Sequence, residues 1–219
     1  MADAVRALAG DEAWIEARPH GSFRVAGRRV TARWLAGLSD QALTTFGIAR
    51  AAIVETDPPA GSVVSGSTLV DAAGVPTRQW IAQEIPLEEL VAARTAAVDA
   101  ERDRRIDGGF VHLGAPYQTR PSDRENIAGA AQAAFMAKAG GAQAGDLRWP
   151  GGDADFVWIA ADNTLVTMDV DQVLAFFAAG VAFKTALTFA GRAKKDWLLD
   201  PGRTREEILA FDPTASWPT

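Results

Sequence analysis

Four aspartates in the C-terminal half could bind a hard metal cation. Asp153 and Asp155 follow a Gly-Gly pair, and Asp162 and Asp169 come shortly after them. Calcium and magnesium take several oxygen ligands at once, so a dense group of carboxylates suits either ion. The spacing is not that of an EF-hand, because no Glu stands at the twelfth position of such a loop. We therefore interpret the group as turns whose carboxylates accept local backbone N–H bonds, and we expect no metal or other cofactor.

Two tryptophans close to these aspartates suggest a different chemistry. Trp149 and Trp158 could form the aromatic platforms of a carbohydrate-binding site. The histidines, His20 and His112, do not form a catalytic motif, and His112 lies in an apolar β-type run that is typical of a packed side chain. No G-x-S-x-G or H-E-x-x-H motif is present, and the glycine clusters lack the Lys of a phosphate-binding loop. We therefore expect that the protein is not an enzyme.

Composition excludes further classes. The 219 residues carry a formal charge of −6, whereas sequence-independent nucleic-acid binding requires a positive surface that displaces counterions. The chain has no Cys, which excludes disulfide scaffolds, thiolate zinc sites and Cys nucleophiles. Charged residues make up 23% and aromatic residues 8%, which is typical of a globular protein. We expect no nucleic-acid partner.

Residues 1–85 are predicted to form a small β-rich module. Pro19-His20-Gly21 separates two short β-type runs and predicts a hairpin. Ser39 is a suitable N-cap for a short helix that ends before Gly47. A second hairpin is predicted around Ala73-Gly74.

Residues 86–107 are predicted to form a connecting helix. Pro86 suits the first turn of a helix, and Gly108-Gly109 suits its end. The apolar stripe is narrow, which leaves two interpretations open: a solvated helix that lies on a neighbouring surface, or the seam of a self-associating bundle. In either case the helix is long enough to act as a stalk between two modules.

Residues 108–200 are predicted to form a C-terminal domain of hairpins and two helices. Ser122 and Glu125 have the spacing of a capping box at the start of an Ala-rich helix. Asp162-Asn163 lies between two apolar β-type runs and predicts a hairpin that serves as a rigid support and not as a binding loop. The overall prediction is an α+β fold in which one of the two C-terminal helices is long and buried.

The long helix, about residues 170–199, is the predicted assembly element, and either Asp169 or Asp171 is predicted to cap its start. Its large side chains point in several directions, and a helix that is apolar on most sides is buried on most sides. A domain of this size can surround such a helix only partly, so we expect another subunit to cover the rest. The predicted interface residues, on this helix and on a face of small residues on the preceding one, are Phe176, Phe177, Val181, Phe183, Leu187, Gly129, Ala133 and Ala137.

We predict no targeting segment and no membrane insertion. The N-terminal residues are too weakly apolar for a signal peptide. The uncharged run from Gln172 to Phe183 has 12 residues, whereas a membrane-spanning helix needs about 20. Residues 201–219, with Trp217 near the end, are predicted to form a docking tail.

An ordered succession of motifs between Val91 and Asp200 resembles a known family. The motifs are Asp103-Arg104-Arg105-Ile106, Pro116-Tyr117-Gln118-Thr119, Ser122-Asp123-Arg124-Glu125-Asn126-Ile127, Gly145-Asp146-Leu147-Arg148-Trp149 and Phe156-Val157-Trp158. They resemble a C-terminal domain of unknown function that is widespread in tail, tail-fibre and fibre-assembly proteins of tailed bacteriophages.

This resemblance implies a structural component of a phage tail, at the fibre or distal region, that acts by subunit assembly. A tail-fibre assembly chaperone that is absent from the finished particle is one alternative, and a carbohydrate-binding module is another. The implied partners are further copies of the chain, other tail proteins and a host surface receptor. The implied location is the virion tail, after assembly in the host cytoplasm. The family offers no catalytic residues to transfer.

Overall fold

The structure, a computed structural model, describes residues 3–7, 13–18, 20 and 22–218. The chain divides into two compact units, Met1–Pro86 and Leu87–Thr219. Small sheets dominate the first unit and helices dominate the second. The α+β class predicted from the sequence is confirmed.

The described part of the first unit is built from antiparallel strands and two small helices. A three-stranded sheet has the order β2-β1-β5, and β3–β4 and β6–β7 are separate hairpins. The elements are β1 (Asp3–Ala7), β2 (Ile15–Glu16), β3 (Ser22–Val25), β4 (Arg28–Thr31), α1 (Ala32–Ala36), α2 (Asp40–Thr45), β5 (Ile48–Ala52), β6 (Ser62–Ala72) and β7 (Val75–Glu84). The core of this unit is formed by Val5, Val25, Val30, Leu35, Leu43 and Ile48.

Local chemistry explains most of the boundaries in this unit. The Ser39 hydroxyl accepts a hydrogen bond from the backbone N–H of Ala42, which caps α2 as predicted. The β6–β7 turn places Ala73 and Gly74 in the left-handed region, as a two-residue hairpin requires. The hairpin predicted around His20 is wrong, because β2 pairs with β1 and β3 pairs with β4. Pro19 and Gly21, which were predicted to form its turn, lie outside the described residues.

The second unit is organised around one long helix. Its elements are α3 (Leu87–Asp107), β8 (Phe110–His112), β9 (Ala115–Tyr117), α4 (Pro121–Ala139), β10 (Val157–Ile159), β11 (Leu165–Thr167), α5 (Val170–Leu198) and α6 (Arg205–Ala210). Both α3 and α4 pack against α5. An ion pair from Asp99 to Lys195, 2.7 Å long, fixes α3 on the C-terminal half of α5. An ion pair from Lys138 to Asp171 fixes α4 on the N-terminal half.

The helix ends in the second unit follow from a few polar side chains. Asp169 accepts hydrogen bonds from the backbone N–H groups of Asp171 and Gln172, so Asp169 is the cap of α5 and Asp171, the other candidate, is not. The capping box predicted at Ser122 and Glu125 is wrong. Helix α4 begins two residues earlier than a cap at Ser122 implies, with Arg120 as its N-cap, and the Asp123 carboxylate accepts from the backbone N–H of Arg120.

Helix α3 lies on a neighbouring surface within the second unit and is not a free stalk. It packs against α5 and α6, and its buried Glu101 binds the guanidinium groups of Arg104 and Arg105 at 2.7 Å. These two arginines, Arg104 first, lower the pKa of Glu101 to about 2 despite its burial. The indole of Trp217 lies 5.6 Å from the Arg105 guanidinium, so the segment that follows α6 docks on the same unit.

Helix α5 differs from the prediction of a helix that is buried on most sides. Its fully buried residues include Val173, Phe176 and Leu187, whereas much of the remaining circumference is exposed. The physical reason is that α3 and α4 cover successive halves of one side of the helix, and the hairpins cover an adjoining side. The opposite side of α5 has no covering element among the described residues.

Candidate interaction site on the long helix

Two of the predicted interface residues lie in the core of the unit, so the prediction is wrong for them. Phe176 is fully buried, and its ring centroid lies 4.4 Å from that of Tyr117 and 5.3 Å from that of Trp158. Leu187 is also buried, with 1% exposure. The chain itself covers both side chains, so neither is available to a partner subunit.

An exposed apolar surface lies on the side of α5 that faces away from this core. We call it the helix face; its members are Phe177, Ala178, Val181, Ala182, Thr185 and Phe189, all exposed. At about 100° per residue, Thr185 lies roughly opposite Phe176 on the helix. Phe189 is 70% exposed and Val181 48% exposed, so the face presents large apolar side chains to solvent. Two of the predicted interface residues, Phe177 and Val181, therefore remain accessible.

A cavity of about 170 Å³ adjoins the helix face where α3 ends and α4 begins. Phe177 and Val181 line it together with the partly buried Phe183, whose ring stacks on Phe110 at 5.6 Å. Lys184 lies at the rim and forms no ion pair with any described residue. The cavity is therefore an apolar recess beside an unpaired cation.

The predicted face of small residues on α4 is divided between surface and core. Gly129 and Ala133 are exposed, and a Cβ atom added at Gly129 would meet no atom within 4 Å. Ala137 is partly buried against the core. The structure therefore does not show a close helix contact at this face.

A second exposed apolar surface, which the sequence analysis did not identify, lies on the two C-terminal hairpins. We call it the hairpin face; its members are Val111, Val157, Ile159 and Leu165, with exposed fractions of 70%, 41%, 64% and 67%. Ile159 pairs directly with Leu165, so the two side chains share one side of the sheet. The alternate residues, such as Trp158 and Val166, pack inward against the core. A bond of 2.8 Å from the N–H of Ala161 to the carbonyl of Pro116 joins the two hairpins.

The signal for the hairpin face was present in the sequence. The runs Phe156–Ile159 and Leu165–Met168 are apolar at nearly every position. A strand with one solvated side alternates apolar and polar residues, whereas an unbroken apolar run predicts cover on both sides. The unit covers only one side of these strands.

The acidic cluster does not converge on a common point. Asp155 pairs with Arg148, and Asp162 accepts a bond from the backbone N–H of Thr164 at 2.9 Å. Asp169 accepts bonds from the N–H groups of Gln172 and Gly145, which together lower its pKa. Within residues 3–7, 13–18, 20 and 22–218, no group of three or more His, Asp or Glu side chains could hold a metal ion.

The two candidate sugar platforms are structural in this fold. Trp149 is buried, and its indole N–H donates to the Met168 carbonyl at 3.0 Å. Trp158 packs edge-on against Phe176. His112 is partly buried, with its ring 5.9 Å from that of Phe176. Trp149 is therefore closed to solvent, whereas Trp158 and His112 are partly buried and have one side packed against the core.

Helix α5 is also long and apolar enough to cross a membrane, by length and composition alone. Its most apolar 18-residue window has a mean hydropathy of 1.8, and 17% of that window is buried. The run counted in the sequence analysis stopped at Lys184, but the residues from there to Arg192 are again uncharged. The absence of membrane insertion stays a prediction.

The second unit is thus an α+β unit in which the helix face and the hairpin face are both apolar and exposed. The chain belongs to the family defined by DUF4376, a domain of unknown function, whose sequence profile matches residues 89–215. That match extends beyond the region of resemblance and includes α6 and most of the segment after it. No curated protein and no solved structure matches the chain.

Proposed function

We propose that the chain is a structural subunit of a bacteriophage tail that acts by assembling with other subunits through the helix face. The observation that carries this proposal is the exposure of Val181 and Phe189 on a helix whose opposite side forms the core of the unit. Large apolar side chains that lie together on the exposed side of a rigid helix are a typical site of association. The tail assignment rests on the resemblance of residues 91–200 to tail and fibre proteins.

The two alternatives differ in how well the geometry supports them. A carbohydrate-binding module needs accessible aromatic platforms. Trp149 is buried and the partly buried Trp158 packs edge-on against Phe176, which argues against this use. A fibre-assembly chaperone would use the same apolar face as a structural subunit does. These two functions differ only in whether the chain remains in the particle.

The association step is tested with the purified full chain. Light scattering coupled to size exclusion over a range of concentrations should show a mass that exceeds that of one chain. Val181→Asp places a charge on the helix face and should reduce the mass to that of a monomer. Leu199→Asp is a matched control, because Leu199 is an exposed apolar residue of the same segment that lies outside both faces. A wild-type chain that stays monomeric at every concentration would contradict the proposal.

Two further measurements separate the remaining possibilities. Mass spectrometry of purified phage particles should detect the chain if it is a structural subunit, and its absence would favour the chaperone. Flotation with liposomes should leave the chain in the soluble fraction. Recovery with the lipid would instead assign the apolar side of α5 to a membrane.

A further inference from the structure

We propose that the helix face of one copy packs against the hairpin face of the next, so that the chain assembles head to tail. This inference rests on the proposed function and specifies the partner and the geometry of the contact. The two surfaces are different patches of the same unit, and the partner of each is a second copy of the chain.

The first argument is the position of the two faces. Trp158 and Val166 point from the hairpins toward Phe176, so the hairpin face points away from α5. Thr185, at the centre of the helix face, lies on the side of α5 opposite Phe176. The two apolar faces therefore lie on opposite surfaces of one unit. A contact between two different patches of identical subunits repeats in one direction, which forms a ring or an open filament.

The second argument is charge. Lys184 flanks the helix face, and Asp162 lies in the turn of the hairpin that carries Ile159; neither side chain forms an ion pair with a described residue. Hydrogen bonds from Thr164 lower the pKa of Asp162, so it remains ionised at neutral pH. A twofold contact of the helix face with itself would bring two Lys184 ammonium groups to one interface, and a twofold hairpin contact would bring two Asp162 carboxylates. A head-to-tail contact brings one of each, which is the complementary arrangement.

The third argument is the area of the contact. The helix face spans the thirteen residues from Phe177 to Phe189, about 18 Å along the axis and roughly 10 Å across, which gives about 200 Å². A standard stable interface buries about 800 Å² on each partner. A single junction is therefore weak, so association should rise with concentration over a wide range.

The contact is tested by mixing two single variants of the full chain. Val181→Asp disables the helix face and leaves the hairpin face intact, whereas Ile159→Asp does the reverse. Both residues are exposed, and circular dichroism verifies that each variant keeps its fold. Each variant alone should be monomeric at concentrations at which the wild type associates. The mixture should form a one-to-one complex with twice the mass of one chain, because one intact junction remains and both ends are blocked.

Each outcome decides the proposal. A one-to-one complex that forms only in the mixture supports the head-to-tail contact, and Leu199→Asp should associate as the wild type does. If Ile159→Asp alone still forms a dimer, the helix face pairs with itself and the proposal is overturned, although subunit assembly stands. If the mixture stays monomeric while the wild type associates, the proposal is likewise overturned. A monomeric wild type would refute the proposed function instead.

Discussion

Replacing Phe176 by Ala would remove the side chain at the centre of the aromatic core of the second unit. Phe176 is fully buried, and the rings of Phe110, Tyr117 and Trp158 lie within 5.6 Å of its centroid. Truncation of a buried Phe costs about 3–5 kcal/mol, because apolar contacts are lost and a cavity remains. The upper part of this range applies here, since three aromatic partners lose a neighbour at once. The expected decrease in melting temperature is about 10–20 °C for a unit of this size.

The neighbouring surface provides the control. Phe189 lies on the same helix but is 70% exposed. At concentrations at which the chain is monomeric, Phe189→Ala should therefore change the free energy of unfolding by about 0.5 kcal/mol or less. Urea denaturation followed by circular dichroism at the helix band reports mainly on the second unit, which contains the long helices. The reasoning would be refuted if Phe176→Ala lost less than about 1 kcal/mol, or if the two variants lost equal amounts.

Three further predictions concern stability. Gly109→Ala should destabilise the unit by about 2 kcal/mol or more, since a Cβ atom at this left-handed position would lie 2.1 Å from the Tyr117 carbonyl oxygen. Gly129→Ala should instead stabilise the unit by about 0.5–1 kcal/mol, because the added Cβ atom meets no neighbour within 4 Å. Equal melting temperatures for the two variants would contradict both expectations. Asp169→Ala should cost about 1–2 kcal/mol through loss of the α5 cap, whereas Asp169→Asn should retain most of the stability; equal losses in urea denaturation would argue against capping. Glu101→Gln should be less stable than the wild type above pH 4.5, the ordinary pKa of Glu, because the ionised carboxylate stabilises the fold. The difference in the free energy of unfolding between the two proteins should disappear as the pH falls from 4.5 to about 2. A difference that stays constant across that range would show that ionisation of Glu101 is not its cause.

The elements that the sequence predicted correctly are those with a local cause. Ser39 and Asp169 cap their helices because a short polar side chain reaches N–H groups two or three residues away. The turn at Asp162-Asn163 forms where predicted, with Asn163 in the left-handed region. These caps and this turn depend on residues that are close in the chain, and therefore they can be predicted from a single sequence.

The errors concern partners that are distant in sequence. The strand Ile15–Glu16 pairs with β1 and not with the strand that follows it, and no local signal distinguishes the two pairings. Phe176 and Phe177 are adjacent residues of one type, yet the first is fully buried and the second exposed. Which side of α5 faces the core depends on where the hairpins dock, so the interface residues could not be separated from core residues by composition. The hairpin face was missed because an apolar run was interpreted as support alone.

Because α3 and α4 contact successive halves of α5, we expect their contacts with α5 to form at different stages of folding. The contacts of α4, the β10–β11 hairpin and the first half of α5 join residues that are close in sequence, so the loops they close are short. The ion pair between Asp99 of α3 and Lys195 of α5 instead joins residues that are 96 positions apart in the sequence. Early closure of local contacts is faster because less chain entropy is lost. During synthesis, α3 leaves the ribosome before its docking surface on α5 exists. We therefore expect the α3–α5 contact to form after the transition state, and substitutions there should mainly accelerate unfolding.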